Sequence, residues 1–356
     1  MAHKVTIEPL GREITVGDNQ TILEACLRQG IWLPHACAHG TCGTCKVQLL
    51  EGEVQHQGAT EFALMDYERE EGMALVCSAK PLTDIVLEAD VDPDPEAVFY
   101  PVKDYTATVE TIEEPAKGVR RFILALDNDV LEFMPGQYIQ VEIPQPNKTV
   151  LRRCYSCASS PGDGSRVELQ IKLTPGGRAA PYLFEELQEG SKIKFSGPYG
   201  FFFLRKAGHE PIIFLAGGTG LAPIKSMLRV ATEENLPRKM TLIHGVRSQD
   251  DLFDYEFFRE MEAVNPNFRY LPALSARNPE KEWDGEEGFV HEVLVRCLPS
   301  FKGHKAYLCG PPLMVDACLT TLMQGRLFED SIYCENFFTE EDKSGPLKRS
   351  PLFKRI

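Results

Sequence analysis

Alternating and continuous apolar runs divide this chain into three stretches of different texture. The first reaches about residue 98 and opens with short alternating segments, Val5 and Ile7 and then residues 13–16. Alternation at a period of two predicts half-buried strands. Residues 21–29 place apolar positions at helical spacing, with Gly30 as a C-terminal stop. A strand over 46–50, acidic helical stretches and a last strand over 84–89 follow. The acidic, proline-punctuated run 92–96 then reads as a linker.

Residues 99–206 carry strand-like runs at 105–112, 121–126, 137–143, 167–173 and 192–196. Turn signals such as Pro135-Gly136, Pro161-Gly162-Asp163-Gly164 and Pro175-Gly176-Gly177 separate them, which predicts a small antiparallel barrel. Residues 207–340 change again. Continuous apolar runs at 211–216, 240–244, 268–274 and 306–309 alternate with helical patterns, the signature of an open parallel α/β sheet. Residues 341–356 read as a loosely held tail. A length of 356 residues suits such a multidomain α+β and α/β architecture.

Composition narrows the setting. With 43% hydrophobic and 25% charged residues the chain reads as soluble and globular. No segment reads as a signal peptide, and no apolar run approaches the roughly 18 residues of a membrane span. Eleven cysteines is an odd number for a secreted protein, so a reducing cytoplasm is the expected compartment. Cys26, Cys297 and Cys318 sit in apolar, helix-like contexts and read as small core residues. Residues 1–100 contain 17 acidic and 6 basic side chains, a net −11 of the chain's −14. That balance argues against nucleic acid, whose phosphates would be repelled. It suits steered docking on a basic protein surface, and equally it would simply keep the first stretch in solution.

Candidate chemistry begins with Cys37, Cys42, Cys45 and Cys77. The spacing C-x4-C-x2-C with a distant fourth cysteine is the plant-type [2Fe–2S] pattern. Three close thiolates wrap the cluster and a distant one closes the cage. Gly40 and Gly43 let backbone N–H groups approach the sulfurs. Zinc, which more often takes two C-x2-C pairs, and buried thiols are the competing readings. In the second stretch, Arg153, Tyr155 and Ser156 offer a cation, an aromatic face and a hydrogen-bond partner, as a flavin would need. Read alone, the tetrapeptide Arg153-Cys154-Tyr155-Ser156 is better taken as an ordinary strand end. Residues 175–183 look like a glycine turn running into a helix, a place for a pyrophosphate.

In the third stretch, Gly217-Gly218-Thr219-Gly220 follows a buried strand and precedes a helix with Pro223 in its first turn. No Lys-Ser/Thr follows, so it is not a Walker loop. It is either a dinucleotide turn or a tight structural one. Cys309-Gly310-Pro311-Pro312 ends another strand, and right-handed crossovers would bring it to the same sheet edge. There Cys309 lies beside a nicotinamide or is a buried core thiol. Glu335 and Phe337, placed after the last strand, either close the core or cover the flavin.

In this order, C-x4-C-x2-C…C, R-x-Y-S, G-G-T-G-x-A-P, C-G-P-P and E-x-F-F resemble ferredoxin–NAD(P)H reductase-type flavoproteins with a plant-type ferredoxin fused at the N-terminus. The resemblance covers residues 3–340. Residues 62–66, 319–329 and 352–356 make it closer to the reductase components of bacterial multicomponent phenol hydroxylases. It implies a β-grasp ferredoxin domain over 1–98, an FAD-binding barrel over 99–206 and a Rossmann-like NAD-binding domain over 207–340. It implies cluster ligation by the four cysteines, and flavin contacts at Arg153, Cys154, Tyr155, Ser156, Ile171, Lys172, Gly177, Ala179, Ala180 and Phe337. Nicotinamide dinucleotide contacts would fall at Gly218, Thr219, Gly220, Cys309, Gly310 and Pro311. Ser156, Cys309, Glu335 and Phe337 would serve hydride transfer. NADH is favoured over NADPH, because Ala276 interrupts the pair Ser275 and Arg277 where a 2′-phosphate would sit. The outlet would be a di-iron hydroxylase, with or without a small regulatory protein. A Rieske dioxygenase, a deoxysugar dehydratase or a redox-sensing role are the alternatives.

Overall fold

The computed structural model describes residues 2–91 and 94–338. Asp92 and Pro93 of the expected linker, and the tail over 341–356 with its resemblance at 352–356, lie outside them. The described residues form two compact units. The first holds 2–91, 94–104, 196–201 and Phe338, and the second holds 105–195 and 202–337.

The first unit contains β1 (His3–Glu8), β2 (Arg12–Val16), α1 (Ile22–Arg28), β3 (Lys46–Glu51), β4 (Val54–His56), α2 (Asp66–Glu70), β5 (Met73–Leu75), β6 (Ala79–Pro81) and β7 (Ile85–Glu88). Its main sheet runs β2-β1-β7-β3-β5, with β1 parallel to β7 and the other pairs antiparallel. Thr21 caps α1 by accepting the Glu24 N–H at 3.2 Å, and Gly30 takes the left-handed conformation just beyond its end. The helix buries Leu23, Ala25, Cys26 and Leu27 in one core with Val5, Ile7 and Leu87. The acidic helical stretches expected after β3 reduce to α2, five residues long.

Six strands lie mainly in the second unit, with only the start of β8 and the end of β13 in the first: β8 (Lys103–Ala116), β9 (Val119–Leu126), β10 (Tyr138–Pro144), β11 (Val150–Ser156), β12 (Arg166–Lys172) and β13 (Lys192–Tyr199). They run in the order β11-β10-β13-β8-β9-β12, and a bridge between Cys157 and Leu169 ties the two ends together. The expected antiparallel barrel is therefore present. Residues 150–156 are a full strand, pairing with β10 from Pro144↔Val150 to Tyr138↔Ser156. The helix expected after Pro175 is one short turn over Tyr182–Glu186, too short to present a helix dipole.

An all-parallel sheet completes this unit. Its elements are β14 (Ile212–Gly217), α3 (Leu221–Glu233), β15 (Met240–Val246), α4 (Tyr255–Val264), β16 (Phe268–Leu274), β17 (Glu286–Glu287), α5 (Val290–Cys297), β18 (Lys305–Gly310), α6 (Pro312–Gln324) and β19 (Ile332–Asn336). The order is β17-β16-β15-β14-β18-β19. Helices cover both faces, so every residue of β14 is buried. Phe214 and Ala216 join the core with α3 and α4, while Ile213 and Leu215 join the core with α5 and α6. Glu335 and Asn336 lie inside β19 rather than after it, because their register partners Cys309 and Gly310 extend the ladder. Cys26 and Cys318 are core residues as expected, but Cys297 is only half-buried near Glu286.

Candidate functional site

Three groups of residues carry the chemistry. In the first unit the loop between α1 and β3 presents Cys37, Cys42 and Cys45, and the turn between β5 and β6 presents Cys77. Cys42, Cys45 and Cys77 are buried. The Cys37 and Cys42 thiols lie within hydrogen-bonding reach of each other, and so do those of Cys45 and Cys77. The N–H groups of Thr41 and Cys42 both point at the Cys37 sulfur, each at 3.4 Å. Gly40 and Gly43 adopt positive φ of 79° and 74°, the turn that aims those amides inward. The buried Thr41 hydroxyl has no partner. No group of His, Cys, Asp or Glu among the described residues converges as a single-ion site would. These four thiols would together hold an iron–sulfur cluster.

The second group lies on β11. Leu151 and Tyr155 face the barrel core, which puts Arg153, half-buried, on the same side of the strand. Cys154 and Ser156 face the other way. Cys154 feels the Glu335 carboxyl, which with burial pushes its thiol up to about 12. Gly177, Ala179 and Ala180 stand in the turn after β12, with Ala179 partly packed on the barrel core. Ile171 points into that core and leaves only its backbone for a ligand. Lys172, exposed, lies elsewhere: it lines the nucleotide pocket described next.

The third group lies at the C-terminal edge of the parallel sheet. The turns after β14 and β18 abut so closely that a Cβ on Gly220 would stand 2.2 Å from the Cys309 carbonyl oxygen. One on Gly217 would stand 2.5 Å from the Met314 sulfur. Only glycine permits this approach, and an open cavity of about 240 Å³ lies against the same turns. Of the six expected dinucleotide contacts, Gly218, Thr219 and Pro311 line it, whereas Gly220, Cys309 and Gly310 lie outside its lining. Arg247, Asp251, Ser275, Phe289 and Met314 also line it. Apart from Ser275, these were not singled out from the sequence, although Arg247 and Asp251 follow the end of β15, where ligands of such sheets bind. Ligand-sized space, apolar walls and a few charged groups fit a dinucleotide.

Cys309 and Glu335 are register partners on β18 and β19. Burial raises the Cys309 thiol well above its ordinary value, with Glu335 adding to the rise. Burial also pushes the Glu335 carboxyl up to about 8, so it holds its proton at neutral pH. Its Oε2 is buried without a hydrogen-bond partner. Phe337 donates its N–H to the Gly310 carbonyl at 2.9 Å and packs on the adjoining core. An orphaned carboxyl oxygen, a neutral thiol and an aromatic ring thus gather with Cys154 of β11, a constellation that fits a ring system bound between barrel strand and sheet edge.

Comparison with known proteins divides the chain into three successive domains. A 2Fe-2S iron–sulfur cluster binding domain matches residues 5–82, an oxidoreductase FAD-binding domain 106–203 and an oxidoreductase NAD-binding domain 214–320. The chain is 46% identical, over the full length of both, to the reductase component of a phenol 2-monooxygenase from Pseudomonas sp. (strain CF600). It is 46% identical, again over both full lengths, to the phenol hydroxylase P5 protein of Acinetobacter pittii (strain PHEA-2). A crystal structure of an Amycolatopsis cytochrome P450 reductase superposes with a TM-score of 0.87 at 37% identity, covering 94% of this chain and 98% of that one. Among the described residues no helix is long and apolar enough to cross a membrane.

Proposed function

Because the chain belongs to the family of phenol hydroxylase reductase components, we propose that it supplies electrons to a di-iron phenol-type hydroxylase. It is an oxidoreductase that carries electrons from NADH through FAD to a [2Fe–2S] cluster. The bound flavin turns a hydride into electrons delivered singly, which neither nicotinamide nor cluster does alone.

The chain's own residues divide the work. Cys37, Cys42, Cys45 and Cys77 hold the cluster, and the Thr41 and Cys42 amides donate to the Cys37 sulfur. Arg153 neutralises flavin phosphate, Tyr155 supplies a flat ring and Ser156 a hydrogen bond at the reactive nitrogen. Gly218, Thr219 and Pro311 would seat the dinucleotide, with Phe289 and Met314 as apolar walls, and Gly220 and Gly310 let the two turns beneath it abut. Cys309 and Phe337 would stand beside the ring systems of nicotinamide and flavin, and Glu335, kept neutral by burial, would offer a proton donor there. Arg277 is ion-paired to Glu287, so it is not poised for a 2′-phosphate, which supports NADH over NADPH. None of the eleven cysteines forms a disulfide, which suits a reducing cytoplasm.

The single observation that carries the outlet is full-length identity at 46% to two phenol hydroxylase components. A relative at 32% identity is the reductase component of a naphthalene 1,2-dioxygenase system, so the cofactor motifs alone do not choose the acceptor. The outlet face has a matching character. Thr60 bonds to Gly40 of the cysteine loop at 3.0 Å, and exposed Phe62, Met65 and Tyr67 stand just beyond it among Glu61, Asp66, Glu70 and Glu71. An apolar patch rimmed by acids suits a basic partner surface. Mixing the purified protein with the oxygenase of a phenol hydroxylase, or with that of a Rieske dioxygenase, tests the reading. NADH-coupled phenol hydroxylation should far exceed dioxygenation, and the reverse ranking would overturn the assignment.

A further inference from the structure

A cluster of buried charges in the second unit plays no part in the reading above. The Lys225 ammonium, on α3, lies 2.7 Å from a Glu168 oxygen on β12 and 2.8 Å from an Asp254 oxygen at the head of α4. These side chains are 3%, 5% and 3% exposed. Arg229, one turn along α3, reaches the other Glu168 oxygen at 2.9 Å. Arg121 on β9 stands 3.4 Å from Glu168 and pairs with Asp254. The Phe257 ring lies 4.9 Å from the Lys225 nitrogen. Burial pushes the Asp254 carboxyl up, but Lys225 and Arg121 outweigh it and hold it below its ordinary value. Asp254 itself adopts φ of +57°, a left-handed conformation.

A hydroxyl chain runs through the same joint. Ser226 donates to the Ser159 carbonyl at 2.6 Å, and the Ser159 hydroxyl accepts the Glu168 N–H at 3.2 Å. Close packing continues it: a Cβ on Gly136 of the barrel would stand 2.4 Å from the Met227 methyl of α3. Both halves of the reaction site begin a few residues away. Ser159 lies three positions after Ser156, and α3 grows directly out of the turn Gly218–Gly220. Buried ion pairs lose hydration that their attraction only partly restores, so they are poor sources of stability. Their hydrogen bonds, unlike contacts between apolar faces, are satisfied at a single register.

We propose that the Glu168–Lys225–Asp254 network is a positioning device: it holds α3 at one register on the barrel and so sets how the nucleotide turn meets the strand bearing Ser156. This deepens the reading of the protein as an NADH-oxidising flavoprotein and rests on it. The network then governs the rate of hydride transfer rather than the affinity for NADH.

The test uses the intact holoprotein with Glu168→Gln, Lys225→Met and the double variant. Rapid mixing with NADH should show the limiting rate of flavin reduction falling at least tenfold in each, with half-saturating NADH changed less than threefold. Amide exchange should rise in residues 157–160 and 217–222 while strand 139–143 stays protected. The double variant should lose less than the two single losses combined, because both break one network. If Lys225→Met does not fold, Glu168→Gln and Arg229→Leu decide the matter. An unchanged reduction rate, or exchange that rises evenly over the whole unit, overturns the proposal. A wild-type protein whose flavin NADH does not reduce would instead overturn the underlying function.

Discussion

The cysteine site of the first unit and the nucleotide site of the second are built on opposite plans. Three of the four thiols fall within nine consecutive residues, and the amides that support them belong to the same loop. The nucleotide pocket draws on residues from Val119 to Met314, carried by the ends of several strands and helices. A site made from one loop is written as a spacing. A site made from a sheet edge exists only once crossovers have placed the strands side by side, so its members carry no mutual spacing. The first should respond to a single substitution in an all-or-none manner. The second should respond in graded steps.

The largest effect is expected at the local site. Cys42→Ser should remove the rhombic EPR signal of the reduced protein and cut NADH-driven cytochrome c reduction by orders of magnitude. Ferricyanide, which takes electrons from the flavin directly, should still be reduced. Equal loss of both activities with FAD retained would break the distinction between the two sites.

At the distributed site Gly220→Ala forces a methyl group against the Cys309 carbonyl. Overpacking of this kind costs roughly 1–3 kcal/mol. The expected result is a melting temperature lower by several degrees and NADH binding weakened at least tenfold, with iron content intact. Titration of the oxidised protein with NAD and a thermal scan check both.

Arg153→Ala should weaken FAD retention about tenfold on gel filtration while iron stays at two per chain. Flavin that remains stoichiometric would move the phosphate contact elsewhere in the barrel.

The smallest effect concerns Glu335, whose carboxyl is raised from about 4.5 to about 8 by burial. The folded state therefore holds a proton that the unfolded chain has released between those values, and stability falls as pH rises across that window. Glu335→Gln removes this dependence. The variant should gain stability relative to the parent from pH 5 upward, levelling off above pH 8, with no difference in the change below pH 4.5. Parallel melting curves at all pH values would show that Glu335 ionises freely.

Much of this was legible in the chain itself. Period-two alternation marked the first strands of the chain, turn residues between short strand-like runs marked the barrel, and continuous apolar runs marked β14, β15, β16 and β18, because each is a local consequence of burial on one or two faces. The cysteine spacing and both glycine turns were legible for the same reason: a metal cage and a tight turn demand particular residues at short range. Residues 150–156 gave a weaker signal, since Arg152 and Arg153 interrupt the alternation although β10 pairs with all seven positions. Tertiary structure alone decided that Glu335 lies within β19 opposite Cys309, that Arg247, Asp251 and Phe289 share a wall with Gly218, and that Lys225 is a buried cation. Each of these depends on which segments become neighbours after folding, and a lysine on a helix gives no local sign that two carboxylates from other elements will enclose it.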